Sequence, residues 1–413
     1  MKPFSRNWQR VLSGSIMLAT LSLYIVQGAS GPTSLAIALN APSSGGVPCM
    51  RSPSVGWNVV PAPDAGSYSN ALYGITSISP GDAWAVGEQY SSYLGAYIAI
   101  IEHWNGAAWS VVQGSPYALT LRGVAALASN DVWAVGWMGG YRSSPLTEHW
   151  DGSQWTYVMA SASGGRKLYG VAAISPDDVW AVGQSSTGVL IMHWNGTQWS
   201  AAAVPTITGG VLYSVTAASR NDIWAVGTLN NAETLALHWD GTQWTRFPTP
   251  NDGAYINVLT SASAVTSDDI WAVGYWATSG VDYHGYTLHW NGSAWNSVAN
   301  PANPNQQSKP GDDPIPTGAY LYGVAATKKG EVWAVGRNLQ NTGTTGVIFG
   351  LRSGKWSAMD NPNPGYANTK LYAVDASPGN AWAVGSFDTN SYGYTVPLTE
   401  RYSGGCITDT PGR

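Results

Sequence analysis

Five histidines, His103, His149, His193, His238 and His289, each stand immediately before a tryptophan. Six carboxylates, Asp82, Asp131, Asp178, Asp222, Asp269 and Glu331, each stand two residues before another. Imidazole and carboxylate are the groups of general acid–base catalysis and of metal ligation. Both chemistries need such groups to converge, whereas these recur once per unit of a long repeat. Equivalent positions in successive units are too far apart to share an ion or a substrate, so both sets are expected to be structural. The acids are expected to cap a turn such as Ser175-Pro176-Asp177-Asp178 through side-chain to backbone hydrogen bonds. No metal and no cofactor is expected.

The residues that escape the repeat carry the functional expectation. Trp137 and Trp276 are the only off-pattern tryptophans beyond the N-terminal segment, and His284 is the only off-pattern histidine. Near them in variable segments stand Tyr141 and Arg142, Tyr275, Asp282 and Tyr283, Arg337, and Asp388. Aromatic faces beside polar groups suit sugar rings or a protein surface, because stacking supplies area and the polar groups fix orientation. The candidate ligand-binding set is therefore Trp137, Tyr141, Arg142, Tyr275, Trp276, Tyr283, His284, Arg337 and Asp388. The competing reading of Trp137 and Trp276 is that they fold over a blade edge as covers. An enzyme built on these segments would use Asp282, His284, Asp312, Asp313 or Asp388, and a glycosidase would need two carboxylates about 5 to 9 Å apart.

The tetrad Trp-Ala-Val-Gly sets the frame that must position these side chains. It begins at Trp84, Trp133, Trp180, Trp224, Trp271, Trp333 and Trp382, 44 to 62 residues apart. Each copy is preceded by an apolar stretch such as Leu168–Ala173 and a polar turn, and is followed by a variable loop and a segment such as Ile191–Ser200. That is four short strands per unit, the signature of a β-propeller blade. The predicted fold is all-β: a seven-bladed β-propeller of four-stranded blades.

Six units contain their own fourth-strand tryptophan, Trp109, Trp155, Trp199, Trp244, Trp295 and Trp356, and the seventh does not. The segment Trp57–Pro63 matches Trp295–Pro301 in character, so the last blade is expected to be closed by an N-terminal strand. Cys49 and Cys406 flank that junction and are expected to form a disulfide. The tyrosines that begin the inner strands, Tyr73, Tyr169, Tyr213, Tyr322 and Tyr372, would either pack between blades or line the channel mouth.

Lys2, Arg6 and Arg10 precede an apolar run from Val11 to Val26, as in a secretory signal or an uncleaved anchor. The expected organisation is a signal or anchor over 1–40, a linker over 41–56, the propeller over 57–405 with an insertion at 300–319, and a tail over 406–413. Only 10% of the residues are charged and no Lys/Arg run stands out in the repeats, so nucleic acid is not expected as a partner. No membrane-spanning region is expected in the mature chain, which should be a secreted or cell-envelope monomer.

The hairpin Trp150-Asp151-Gly152-Ser153-Gln154-Trp155 resembles a shortened Asp-box of sialidase-like (BNR) repeats. The order of a Gly-ended second strand, a hairpin, then Trp and Pro is similar to kelch repeats of the galactose-oxidase central domain. The resemblance implies a propeller but not the enzymatic chemistry of those families. A sialidase-like site needs three convergent arginines, and only Arg122 is basic among the inner-strand starts. A galactose-oxidase-like copper site needs a Cys–Tyr cross-link, and both cysteines lie outside the blades. The expected function is non-catalytic binding of an extracellular glycan or protein through the loop-rich face, with a propeller-class glycosidase or lyase and a structural envelope module as the alternatives.

Overall fold

Side chains alternate across a strand, so each tetrad places Trp and Val on one face of its sheet and Ala and Gly on the other. Neighbouring sheets can then pack large against small. The computed structural model describes residues 56–64, 69–116, 119–139, 143–160, 162, 164–280, 282–300, 318–340, 343–365, 367–389 and 393–403. These residues form seven antiparallel four-stranded sheets, the blades of a seven-bladed β-propeller, with no helix among them. Blade 1 runs from the channel outward as Asn70–Ser79, Asp82–Ser91, Ala96–Trp104 and Trp109–Val111. Blades 2 to 6 repeat that order.

Blade 7 takes Ala367–Ser377, Asn380–Asp388 and Thr395–Ser403 from the C-terminal end and Gly56–Val59 from the N-terminal end. In that sheet Trp57 stands opposite Tyr402. Cys49, Cys406 and the insertion at 301–317 lie outside the described residues, as do Tyr141, Arg142, Asp312 and Asp313.

The tetrad tryptophans join the blades. Trp84 meets the outer-strand Trp155 of the next blade edge to face at 5.3 Å, and Trp133–Trp199, Trp180–Trp244, Trp224–Trp295 and Trp271–Trp356 repeat the contact at 5.2 to 5.8 Å. Trp333–Trp57 at 5.3 Å and Trp382–Trp109 at 5.2 Å carry it across the closing blade. Each such pair adds about 0.5–1.5 kcal/mol to the burial of its area. The same contact repeated seven times makes the closure of the ring a continuation of its packing.

The tetrad glycine has a different task. A Cβ at Gly87 would lie 1.9 Å from the Ala71 carbonyl, and the other six tetrad glycines meet the inner strand just as closely. The cause is a bulge. Leu72 pairs with Gly87 and Gly74 with Val86, leaving Tyr73 as an extra residue outside the ladder. Corresponding register shifts leave out Arg122, Tyr169, Tyr213, Thr260, Tyr322 and Tyr372. Bulges re-aim the side chain they extrude. Here all seven extruded residues line one cavity at the centre of the ring.

At the opposite end of the blades the acids before the tetrads do something other than cap turns. Asp82, Asp131, Asp178, Asp222 and Asp269 pair with Nε2 of His103, His149, His193, His238 and His289 at 2.8 to 2.9 Å. Each imidazole lies 4.2 to 4.5 Å from the ring of its tetrad tryptophan. The expectation of backbone capping is corrected to a carboxylate–imidazole pair, because the histidine opposite each tryptophan brings a stronger partner within reach. Blades 6 and 7 substitute arginine: Arg352 lies over Trp333 near Glu331, and Arg401 lies over Trp382 and donates to Asn380. Third-to-outer strand hairpins close this face. In them Gly106, Gly152, Gly196, Gly241 and Gly292 take positive φ of 87° to 93°. Asn195 Oδ1 accepts from the backbone N–H of Thr197 and Gln198, so turn chemistry accounts for the sequon-like Asn-Gly-Thr.

Candidate functional site at the channel mouth

The central cavity has a volume of about 640 Å³ and is walled by the seven inner strands. The bulged residues form a collar where it opens on the loop-rich face. Around the collar Tyr73 contacts Tyr372 at 5.0 Å, Tyr372 contacts Tyr322 at 5.6 Å, and Tyr169 contacts Tyr213 at 5.3 Å. Blade 5 has Thr260 at the bulge, where Thr260 lines the cavity and its Oγ1 hydroxyl is shared between the backbone carbonyls of Val273 and Leu321. Tyr275, from the second strand, joins the lining there and contacts Tyr320 at 4.9 Å. Tyr283 stacks on Tyr320 at 4.7 Å.

Cations are laid over these rings. The Arg122 guanidinium sits 3.6 Å from the centre of Tyr73 and 5.2 Å from that of Trp137. Lys167 Nζ lies 4.4 Å from the Trp137 ring, and Arg337 lies 4.6 Å from Tyr320 and 5.8 Å from Tyr322. Cation–π contacts of this kind contribute about 0.5–2 kcal/mol each. They hold the guanidinium groups of Arg122 and Arg337 against the rings.

Burial raises the collar phenols. Tyr275 and Tyr320 are pushed up to about 12, and Tyr73, Tyr169, Tyr213, Tyr322 and Tyr372 are also raised, in each case by desolvation first. Every hydroxyl therefore keeps its proton at neutral pH and can donate a hydrogen bond. Tyr73 and Thr120 donate to the two oxygens of Glu88 at 2.8 and 2.7 Å, and Asn368 donates to Asp388 at 2.6 Å. Burial first and Arg337 second push the Lys370 amine down, while Asp388 opposes them.

Measured against the sequence expectation, the structure brings Trp137, Tyr275, Tyr283 and Arg337 to this collar and separates two others from it. Trp276 is 1% exposed and His284 4% exposed. Their rings lie 4.2 Å apart in the core of blade 5, and His284 Nε2 pairs with Asp282 at 2.9 Å. Trp276 belongs to the buried cluster shared by blades 4 and 5 and His284 packs on it, so neither meets the opening and their assignment to ligand contact is corrected. Strand alternation explains it: Tyr275 and Trp276 are adjacent, so only one can face the mouth. Asp388 is buried at the blade edge on Asn368.

Tyr320, Lys167 and Lys370 went unremarked in the sequence. Their signal was position: each lies on an inner strand one or two residues before its bulge. Among the described residues no three His, Cys, Asp or Glu side chains gather to hold a metal, and no helix is long and apolar enough to cross a membrane.

No family model matches the chain, and no curated protein does. No match confirms the expected likeness to kelch and Asp-box repeats. Solved structures with the same overall fold include YCF48 bound to D1 peptide, with 15% identity, TM-score 0.54, and coverage of 85% of this chain and 99% of that one. YCF48 from Cyanidioschyzon merolae is similar at 15% identity and TM-score 0.53, over 84% of this chain and 98% of its own. A six-bladed fucose-recognising lectin from Aleuria aurantia aligns at 15% identity and TM-score 0.46, over 74% of this chain and all of its own.

Proposed function

We propose that this protein is a secreted or cell-surface, non-catalytic binding propeller that recognises a segment of an extracellular protein or a glycan at the channel mouth. One observation carries the reading: seven bulges, one per blade, turn their side chains out of the ladder and into a single opening. Five of those side chains are tyrosine and one is arginine, residue types that dominate binding hot spots. A repeat that needed only to stack its blades would have no use for them.

Two features favour a protein segment over a sugar ring. Pyranose stacking needs a free aromatic face, and the faces of Tyr73, Trp137 and Tyr320 are covered by Arg122, Lys167, Arg337 and neighbouring rings. Among the described residues the hydroxyls of Tyr169, Tyr213 and Tyr322 and Nε of Arg122 and Arg337 have no hydrogen-bond partner, which suits them to peptide groups. The similar fold of YCF48, described with a bound peptide, accords with that choice.

Parallel screens of the mature protein on peptide and glycan arrays test the reading. Binders are expected, and their signal should fall when Trp137→Ala and Tyr322→Ala are combined in a protein that still folds. Binders indifferent to that double variant would move the site elsewhere.

A further inference from the structure

We infer that the channel mouth takes a peptide segment bearing a carboxylate, with Arg337, Lys370 and Arg122 as the cations that hold it. The inference rests on the mouth being the binding site and adds the chemistry of what binds. Among the described residues, none of these three side chains has an ion-pair partner or donates a hydrogen bond, and Nε of both arginines is buried without an acceptor. Leaving a buried donor unmet is costly, more so for a charged group. The carboxylates bordering the collar are already engaged, Glu88 by Tyr73 and Thr120 and Asp388 by Asn368.

On the opposite face the same residue type is satisfied. Arg220 pairs with Asp177 and Asp178, Arg352 donates to Tyr402, and Arg401 donates to Asn380 and the Pro80 carbonyl. Unpaired guanidinium at the mouth is therefore a property of that site. A guanidinium held against a ring still has N–H groups to donate, and a pair of them can bind a carboxylate through two parallel bonds. Lys370 adds a further positive charge two residues before the bulged Tyr372, where Arg337 and Asp388 act on the amine in opposite directions. The protonated hydroxyls of Tyr169, Tyr213 and Tyr322 supply donors for the peptide carbonyls that accompany the carboxylate.

The carboxylate can belong to a chain end or to an internal Asp or Glu. Three capped probes separate these: N-acetyl-triglycine as free acid, N-acetyl-Gly-Glu-Gly-amide, and N-acetyl-Gly-Gln-Gly-amide, with glucuronic acid as the sugar control. The readout is the Nε–H resonances of Arg122 and Arg337 in the full chain, assigned with Arg122→Lys and Arg337→Lys. A saturable shift with one or both acidic peptides and none with the Gln peptide is expected. Response to the free acid alone assigns a chain end, and response to the Glu peptide assigns an acidic segment. Arg337→Gln should weaken that binding roughly tenfold to hundredfold, the loss of a charge-assisted hydrogen bond, in a protein that stays folded while losing the cation–π contacts to Tyr320 and Tyr322.

Equal shifts from acid and amide, or none from any acid, would overturn the inference, and the parent protein alone decides that comparison if the variants fail to fold. Tighter binding of glucuronic acid than of either acidic peptide would overturn the assignment to peptide. Array binders lost in the Trp137 and Tyr322 double variant yet indifferent to Arg337→Gln would retain the mouth as the site while removing the carboxylate.

Discussion

Glu102 and Glu400 are fully buried on the third strands of blades 1 and 7, opposite the tetrad alanines Ala85 and Ala383, and no carboxyl oxygen of either has a hydrogen-bond partner. Four other blades hold Met192, Leu237, Leu288 and Phe349 at this position, so the surroundings are those of an apolar side chain. Burial pushes the Glu102 carboxyl from 4.5 up to about 8 and the Glu400 carboxyl up to about 7. A carboxyl raised in the folded state binds its proton more tightly there than in the unfolded chain. The stability it permits is therefore fully present below pH 4.5 and is lost as pH rises toward the raised value.

At about 1.4 kcal/mol per unit, ionising Glu102 costs on the order of 5 kcal/mol and ionising Glu400 on the order of 3 kcal/mol. Glu102→Gln preserves the shape of the protonated acid and cannot ionise. Denaturant unfolding at pH 4, 6 and 8 should show parent and variant alike at pH 4, and the variant more stable by several kcal/mol at pH 8. Glu148 provides an internal comparison. Ser115 donates to both of its oxygens, so Glu148→Gln should gain less at pH 8. Parallel loss of stability in parent and Glu102→Gln across this range would refute an uncompensated buried carboxyl.

Other outcomes follow from the packing. Trp180→Ala removes a ring that joins blades 3 and 4 and should cost roughly 3–5 kcal/mol in denaturant unfolding; a variant that melts like the parent would deny the blade-joining role. Gly227→Ala would drive a methyl to 1.9 Å from the Val211 carbonyl, so it should lower the melting temperature sharply, whereas Gly280→Ala, with open space around it, should not. A disulfide between Cys49 and Cys406 remains our proposal: a non-reduced digest of secreted protein should yield one linked peptide, and two free thiols would refute it.

The ring was legible in the sequence because its determinants repeat. Tetrad spacing gave the number of blades, and the missing fourth-strand tryptophan after Trp382 pointed to Trp57, which stands there in the structure. The hairpins followed from Asn-Gly and Asp-Gly. The partnership of Asp178 with His193 was not legible, since two residues separated by a strand, a loop and most of a second strand disclose their contact only through register. Trp276 misled for a related reason. Its departure from the repeat marks a buried ring packed on His284, and an off-pattern aromatic reads the same whether it faces solvent or core. The bulges were hidden because a one-residue shift leaves no compositional trace. They decide the site, by turning a row of inner-strand tyrosines from packing residues into the collar of an opening.

The central claim is that ligand binds at that collar, and hydrogen–deuterium exchange of the mature protein with and without a binder from the array screens tests it most directly. Protection is expected at the bulged segments around Tyr73, Arg122, Tyr322 and Tyr372 and at the second strand through Arg337. Protection confined to the opposite face, at hairpins such as Asn195–Gln198, with the bulged segments unchanged, would contradict it.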